Sequence, residues 1–582
     1  MPTLNVQIKH AGKTHKLPLN TDAPPVAFKE AIYQVTGVPL DRMKVMVKGG
    51  ILKDDADWSK LGIKEGQTLM VIGAAGELPK PPSKPIVFLE DMDDSELAQA
   101  LALPGGLTNL GNTCYMNATL QTLRAIPELQ QALIKYPTMS GPGIREGNHE
   151  LTRALGTTYT SMRGTTGPFT PFAFLGILRQ AVPQFAERSR GHGGMAGYAQ
   201  QDAEECWIQI LNNIRGLPGN LDGASGSAQS QQDRSRFIEQ YMMGEMRSEM
   251  KCVEAPEEPS TVSTEKILKL ECNITKETNY MHTGILDALD QSIEKMSPSL
   301  GRQAVYNRKS RLSRIPTNLT VHMVRFAWKR EINKKAKIMR KVKFPFELDV
   351  LDLCTDDLKA KILPLNKRLR EIEHDRAERR KVRKRTKKAA SASTEPEQED
   401  VSMADAAAAP SSPVLVQSAV PAGHEPPAPT GAAVETSGED KGKASAEEGG
   451  ALEPESVYRK RELEELSALV PSDLVADVGC SVTGLYELVG IITHKGADAD
   501  GGHYIGYVKK SALHPIKIGG EMPVPTEGST LTGIALEEDD EDWYKFDDEK
   551  VSIFPADKIP TLEGGGEDSS AYVLLYRSKP LA

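Results

Sequence analysis

The 582-residue sequence predicts an α+β protein in which a small β-grasp unit precedes a larger mixed unit. Three observations carry this. Residues 1–75 read in the order ββαβ…β. A proline-rich spacer follows. Beyond it, apolar spacing is helical after Cys114, whereas the stretches at His503 and Trp543 read as strands.

In residues 1–75, Leu4, Val6 and Ile8 alternate like a half-buried strand. Gly12 separates them from a second run containing Leu17 and Leu19, which predicts a hairpin. Thr21 or Asp22 can cap the next helix, with Pro24 and Pro25 near its start. Phe28, Ile32 and Val35 then line one helical face that ends at Gly37. Lys44 to Lys48 is a strand, Gly49-Gly50 a turn and Thr68 to Ile72 the last strand. With the stretch Val45-Met46-Val47-Lys48-Gly49-Gly50-Ile51-Leu52-Lys53-Asp54, this unit resembles ubiquitin-like domains. It continues Val71-Ile72-Gly73-Ala74-Ala75-Gly76, without a Gly-Gly ending, so a fixed module is expected and not a conjugated modifier.

Residues 76–103 read as a linker. Pro79 to Pro85 is a stiff spacer, and an acidic patch runs from Glu90 to Glu96. The large unit is expected over 104–582, with inserts near 216–233, 389–450 and 510–542. The middle insert is rich in Ala, Pro, Ser and Glu and has no aromatic residue, so it cannot offset its ordering entropy and is expected to be disordered. Just before it, Asp356 to Lys388 is charged and helix-prone. Its basic run 379–388 reads either as a solvated helix end or as a nuclear-localisation or polyanion-binding patch.

The net charge of −9 argues against a general nucleic-acid binder. The six cysteines, Cys114, Cys206, Cys252, Cys272, Cys354 and Cys480, are dispersed and form no C-x-x-C pair. A reducing compartment is expected, and the usual zinc signature is missing. No apolar run is long enough to span a bilayer, and residues 1–5 do not open a secretory signal. An intracellular protein without membrane attachment is therefore expected.

The chemistry concentrates in Gly106-Leu107-Thr108-Asn109-Leu110-Gly111-Asn112-Thr113-Cys114-Tyr115-Met116-Asn117. Cys114 opens a helix predicted to be amphipathic, with Met116, Leu120 and Leu123 on its apolar face. Backbone N–H groups and the positive dipole end favour thiolate there, which suits a nucleophile; the alternative is a buried structural thiol. A base candidate is His503, in Asp500-Gly501-Gly502-His503-Tyr504-Ile505-Gly506-Tyr507-Val508, at a glycine-rich strand entry. His322 and His494 read as structural, and His424 falls in the middle insert. Downstream, Trp543-Tyr544-Lys545-Phe546-Asp547-Asp548 offers a carboxylate to orient the imidazole. The residues alone leave Asp547 and Asp548 equivalent. Asn109 can donate to an oxyanion or serve as a turn residue.

These boxes, with Gln200-Gln201-Asp202-Ala203-Glu204-Glu205-Cys206, resemble the ubiquitin-specific protease family in order and content. The resemblance implies a papain-like cysteine protease domain with thumb, palm and fingers. It implies Cys114 as nucleophile, His503 as base, Asp547 as orienting acid and Asn109 as oxyanion donor. Gln200, Gln201, Asp202 and Tyr504 would hold the basic, extended ubiquitin tail. Asp202 also reads as the N-cap of the helix carrying Cys206 and Trp207.

The implied reaction is hydrolysis after ubiquitin's C-terminal glycine, with no cofactor and no metal in the finger region, where Cys252 and Cys272 stand alone. The ubiquitin-like unit implies docking on the regulatory particle of the 26S proteasome. It further implies a free monomer of low activity in the cytoplasm and nucleus, its tail cleft covered by Trp328 to Arg340 and Ala497 to Gly501. A non-catalytic scaffold and a protease for another modifier are the competing readings.

Overall fold

Alternation at Leu4, Val6 and Ile8 puts one face of the first strand inside, and in the computed structural model Val6 and Ile8 are wholly buried. The structure describes residues 3–73 except 37, 39, 41, 49 and 55, then 103–136, 148–188 except 164 and 166, 197–219, 236–329, 334–392, 452–497, 501–518 and 535–581. The chain divides into two units, Met1–Met92 and Asp93–Ala582.

In the first unit, β1 (Thr3–His10) and β2 (Lys13–Asn20) form the expected hairpin. Helix α1 (Pro25–Thr36), β3 (Lys44–Val47), β4 (Gly50–Ile51), α2 (Trp58–Leu61) and β5 (Thr68–Ile72) follow, in a sheet of order β2-β1-β5-β3-β4. The parallel β1–β5 pair at its centre and the helix on one face make the β-grasp. Phe28 and Ile32 are buried as expected. Val35, in the last turn of α1, is 39% exposed, and Lys29 takes a buried place with Nζ 2.6 Å from Asp54 Oδ1. The sequence reading missed β4 and α2, which are too short for a period. Asp57 caps α2 by accepting from Ser59 N.

The second unit begins with helices α3 (Cys114–Leu123), α4 (Pro127–Lys135), α5 (His149–Arg163), α6 (Phe172–Ala181), α7 (Ala203–Asn213) and α8 (Phe237–Tyr241). A four-stranded sheet of order β7-β6-β10-β9 follows, built from β6 (Gly244–Cys252), β7 (Thr261–Ile267), β9 (Asp290–Met296) and β10 (Gln303–Arg314). The central sheet runs β18-β17-β16-β15-β19-β11-β8, with β14 (Glu347–Asp349) beside β15. Its strands are β8 (Leu270–Asn273), β11 (Asn318–Val324), β15 (Leu485–Lys495), β16 (His503–Lys509), β17 (Trp543–Asp547), β18 (Lys550–Phe554) and β19 (Ser570–Ser578). β12 (Phe326–Lys329) and β13 (Lys334–Lys337) form a separate hairpin.

The central sheet is buried on both faces. In β16, Tyr504 and Val508 enter the core shared with the helices, while Ile505 and Tyr507 enter the core behind the sheet. This two-sided burial explains the run of apolar residues without polar alternation. Helix α3 lies between the sheet and α7, and all ten of its residues are buried. The amphipathic expectation therefore fails for α3: a helix enclosed on all sides needs no polar face.

Helix α9 (Met281–Leu289) packs against β8, and behind the sheet α10 (Asp356–Ala392) pairs with α11 (Glu455–Ala468). The helix runs past the expected insert boundary at 389. Much of its basic run is held by acids: Arg379 binds Glu455 and Glu462, Arg383 binds Glu455, and Lys384 lies 2.9 Å from Asp539. The 510–542 expectation also needs correction at both ends. Lys510–Leu513 is helical, and Lys510 Nζ pairs with Asp540 at 2.9 Å. Gly37, Gly49, the expected ending at Ala74–Gly76, the spacer to residue 102, residues 330–333 and 498–500 of the expected covering segments, His424, and 220–235, 393–451 and 519–534 within the inserts lie outside the described residues.

Candidate active site

The loop before α3 is held in shape by its own polar side chains. Asn109 Oδ1 accepts from Gly111 N at 3.0 Å and Thr113 N at 3.2 Å, while Leu110 N donates to Thr113 Oγ1 at 2.9 Å. Thr113 precedes the helix and gives no side-chain cap at its positive dipole end. Cys114 is the first residue there and is 2% exposed.

His503 opens β16. Gly502 before it has φ +93°, a left-handed turn, and a Cβ there would meet Lys495 O at 2.2 Å. His503 Nε2 donates to Asp547 Oδ1 at 2.6 Å, and the Cys114 thiol lies close enough to the ring to raise its pKa. The Asp547 bond first, then the thiol, raises the His503 pKa from 6.5 to about 10, against the opposing effect of burial. In return the His503 bond, followed by Lys545, lowers the Asp547 pKa to about 2. The pair therefore favours imidazolium and carboxylate at neutral pH.

The structure separates the two aspartates. Asp547 ends β17, whereas Asp548 turns left-handed at φ 53° and lies 3.9 Å from His503 Nε2. Asp548 binds the nucleophile loop instead: Oδ2 accepts from Asn109 Nδ2 at 2.8 Å and Oδ1 from Asn117 Nδ2 at 2.8 Å. Sequence reasoning missed Asn117. Its position three residues after Cys114, on the same helical side, was the available signal.

The remaining candidates fall into place unevenly. Gln200 Nε2 lies 3.2 Å from Cys114 Sγ. Gln201 is buried. Asp202 caps α7, its Oδ1 accepting from Glu204 N and Glu205 N, and its Oδ2 accepts from Tyr572 OH at 2.6 Å. The Tyr504 ring is 1% exposed and packs against His494, so only its backbone reaches the site, N to Cys114 Sγ at 3.5 Å. His322 and His494 are buried structural residues, each with its pKa lowered to about 4 mainly by burial. Cys252 and Cys272 sit in different sheets.

Gly106 joins the loop before α3 to the turn at Asp548. Leu107 N donates to Asp548 O at 2.8 Å, and a Cβ on Gly106 would stand 2.3 Å from Glu549 O and 2.7 Å from Asp548 O. Backbone cannot yield as a side chain does. Gly106→Ala is therefore expected to cost about 1–3 kcal/mol of stability and to lower kcat as Asp548 is displaced. Urea unfolding and steady-state kinetics check both.

Cys114, His503 and Asp547 thus form a thiol–imidazole–carboxylate line at a helix N-terminus, able to perform acyl transfer by nucleophilic catalysis. Comparison with known proteins agrees with this chemistry. The family described as ubiquitin carboxyl-terminal hydrolase matches residues 105–576, and the ubiquitin family matches residues 5–75. Ubiquitin carboxyl-terminal hydrolase 6 of Schizosaccharomyces pombe is 37% identical over 580 residues, 99% of each chain. Ubiquitin carboxyl-terminal hydrolase 7 of Arabidopsis thaliana is 34% identical over 577 residues, 99% of each chain. Ubiquitin carboxyl-terminal hydrolase 14 of Caenorhabditis elegans is 29% identical over 590 residues, covering 100% of this chain and 94% of the relative. The chain belongs to the ubiquitin carboxyl-terminal hydrolase family, as a cysteine-type deubiquitinase with an N-terminal ubiquitin-like domain.

Proposed function

We propose that this deubiquitinase hydrolyses the bond after the C-terminal glycine of ubiquitin through Cys114, His503 and Asp547, and that it does so on conjugates held at the proteasome. The observation that carries the chemistry is the His503 ring held between Asp547 and Cys114. The Cys114 thiolate attacks the carbonyl carbon. The oxyanion is met by the second Nδ2–H of Asn109, whose first binds Asp548. The C–N bond then breaks, His503 protonates the departing amine, and a thioester remains. Water, deprotonated by His503, attacks the thioester and releases ubiquitin. Gln200, Gln201 and Asp202 line the tail's path in this reading. No cofactor enters any step.

The ubiquitin-like domain supports the proteasome as acceptor. Met46, Ile51, Met70 and Ile72 are exposed on one sheet face, where Met46 pairs across to both Met70 and Ile51. An exposed apolar patch of this kind marks a docking surface. Tethering there raises the local enzyme concentration near bound conjugates. The same reading places the enzyme in the cytoplasm and nucleus, monomeric when free. Low free activity is supported by the burial of Cys114 and by the cover expected of the β12–β13 hairpin, whose Lys337 N donates to Ala497 O at 3.0 Å.

The test is hydrolysis of a fluorogenic ubiquitin substrate with and without purified 26S proteasomes. Proteasomes are expected to raise the rate. The double substitution Met46→Asp and Met70→Asp is expected to abolish that rise while leaving the free rate unchanged. Equal rates with and without proteasomes would remove the proteasome from the proposal.

A further inference from the structure

Gln200 sits in a short segment fixed on both sides. Before it, Asn112 Nδ2 donates to Tyr198 O at 2.9 Å and Ala199 N donates to Glu187 O at 2.9 Å. After it, Asp202 caps α7. The amide that this segment presents lies with Nε2 3.2 Å from Cys114 Sγ. Beside it, the sulfur meets Tyr504 N at 3.5 Å and the His503 ring. Asn109, the other side-chain amide of the site, turns its Nδ2 to Asp548 Oδ2 at 2.8 Å. At rest, then, the amide directed at the reacting sulfur belongs to Gln200, and Asn109 is directed at a carboxylate.

A donor aimed at sulfur acts on charge. A hydrogen bond to an ionised acceptor is roughly twice as strong as one to a neutral acceptor, so the Gln200 amide stabilises thiolate over thiol. When sulfur bonds to the carbonyl carbon, the negative charge moves to the carbonyl oxygen, two bonds from sulfur. A donor already poised over sulfur needs only a small side-chain shift to follow it.

Taking Cys114 as the nucleophile proposed above, we infer that Gln200 is a catalytic residue, whose side-chain amide holds the Cys114 thiolate before attack and shares the oxyanion with Asn109 after it. The electron count is that of the acyl transfer. The C–S bond forms from a sulfur lone pair, and the carbonyl π pair becomes the oxyanion lone pair. Collapse then restores the carbonyl and expels the amine, which takes its proton from His503. Gln200 gives up no proton and is unchanged at the end. Its role differs from that of a tail contact, which binds ground state and transition state alike and changes KM without kcat.

The experiment compares Gln200→Ala and Gln200→Met with the wild-type full chain in two assays. Methionine keeps the length and removes the donor, so it carries the test if the alanine variant does not fold. In steady-state hydrolysis of fluorogenic ubiquitin, kcat is expected to fall on the order of 100-fold, with KM changed by less than about two-fold. In alkylation by iodoacetamide, followed at the Cys114 peptide by mass spectrometry, the pH midpoint is expected to move upward. A raised KM with unchanged kcat and an unmoved alkylation midpoint would overturn the role and leave Gln200 a tail contact. Iodoacetamide carries no ubiquitin. An upward midpoint shift in a wild-type-folded chain that hydrolyses no ubiquitin would refute the proposed function and still support the Gln200–thiolate contact.

Discussion

Replacing Cys114 with alanine is expected to reduce kcat by about a million-fold, the scale seen when the nucleophile of a triad is removed. The sulfur is the atom toward which the Gln200 amide, the Tyr504 N–H and the His503 ring converge. Without it these donors still surround the site but have nothing to activate. The fold is expected to survive, because the substitution removes one sulfur and no larger packing group, a loss of about 1 kcal/mol or less. Ubiquitin binding, measured by calorimetry, should persist while hydrolysis disappears. Loss of both together would mean that Cys114 supports the fold and not the chemistry.

Asp547→Asn is expected to lower kcat by about 10,000-fold, as loss of an orienting carboxylate does in comparable triads. The amide can keep the 2.6 Å contact but cannot stabilise the imidazolium. Asp548 does not replace it, being 3.9 Å from the ring and bound to Asn109 and Asn117. The pH profile gives the more specific readout. His503 must be protonated to release the amine, and its pKa is raised to about 10 by Asp547 first and then Cys114. The alkaline limb of kcat is therefore expected to move from high pH toward neutrality in the variant.

The sign of the stability effect follows from the same shifts. A raised His503 pKa stabilises the folded state fully below about pH 6.5, and this is lost as pH rises through about 10. The depressed Asp547 pKa contributes above about 3.8 and is lost as pH falls through about 2. Unfolding of the variant is expected to lose the part of this stabilisation that comes from the His503–Asp547 pair across the neutral range, while the part due to Cys114 remains. An unchanged alkaline limb would show that Asp547 does not control the ring.

What the sequence made legible was local. The β-grasp order, the helix start at Cys114 and the glycine-rich entry to His503 each depend on contiguous residues, and each is where spacing put it. What it concealed was tertiary. The choice between Asp547 and Asp548 depends on a left-handed turn at Asp548 that no periodicity reveals. The burial of α3 on every side depends on the sheet and α7 closing over it, so Thr119, Gln121 and Thr122 are interior despite their polarity. Tyr504 follows His503 directly, and strand alternation sends its ring into the core, which spacing alone did not show. The basic run of α10 likewise shows its partners only when Glu455, Glu462 and Asp539 fold back on it from far along the chain.

The central claim is that Cys114 is the nucleophile that attacks the ubiquitin C-terminus. It is tested most directly by incubating the full chain with ubiquitin bearing an electrophilic C-terminus and mapping the adduct by peptide mass spectrometry. One covalent ubiquitin on Cys114 is expected, absent from Cys114→Ala and formed more slowly in Asp547→Asn. No adduct on the wild-type chain, or an adduct that survives Cys114→Ala, would contradict it.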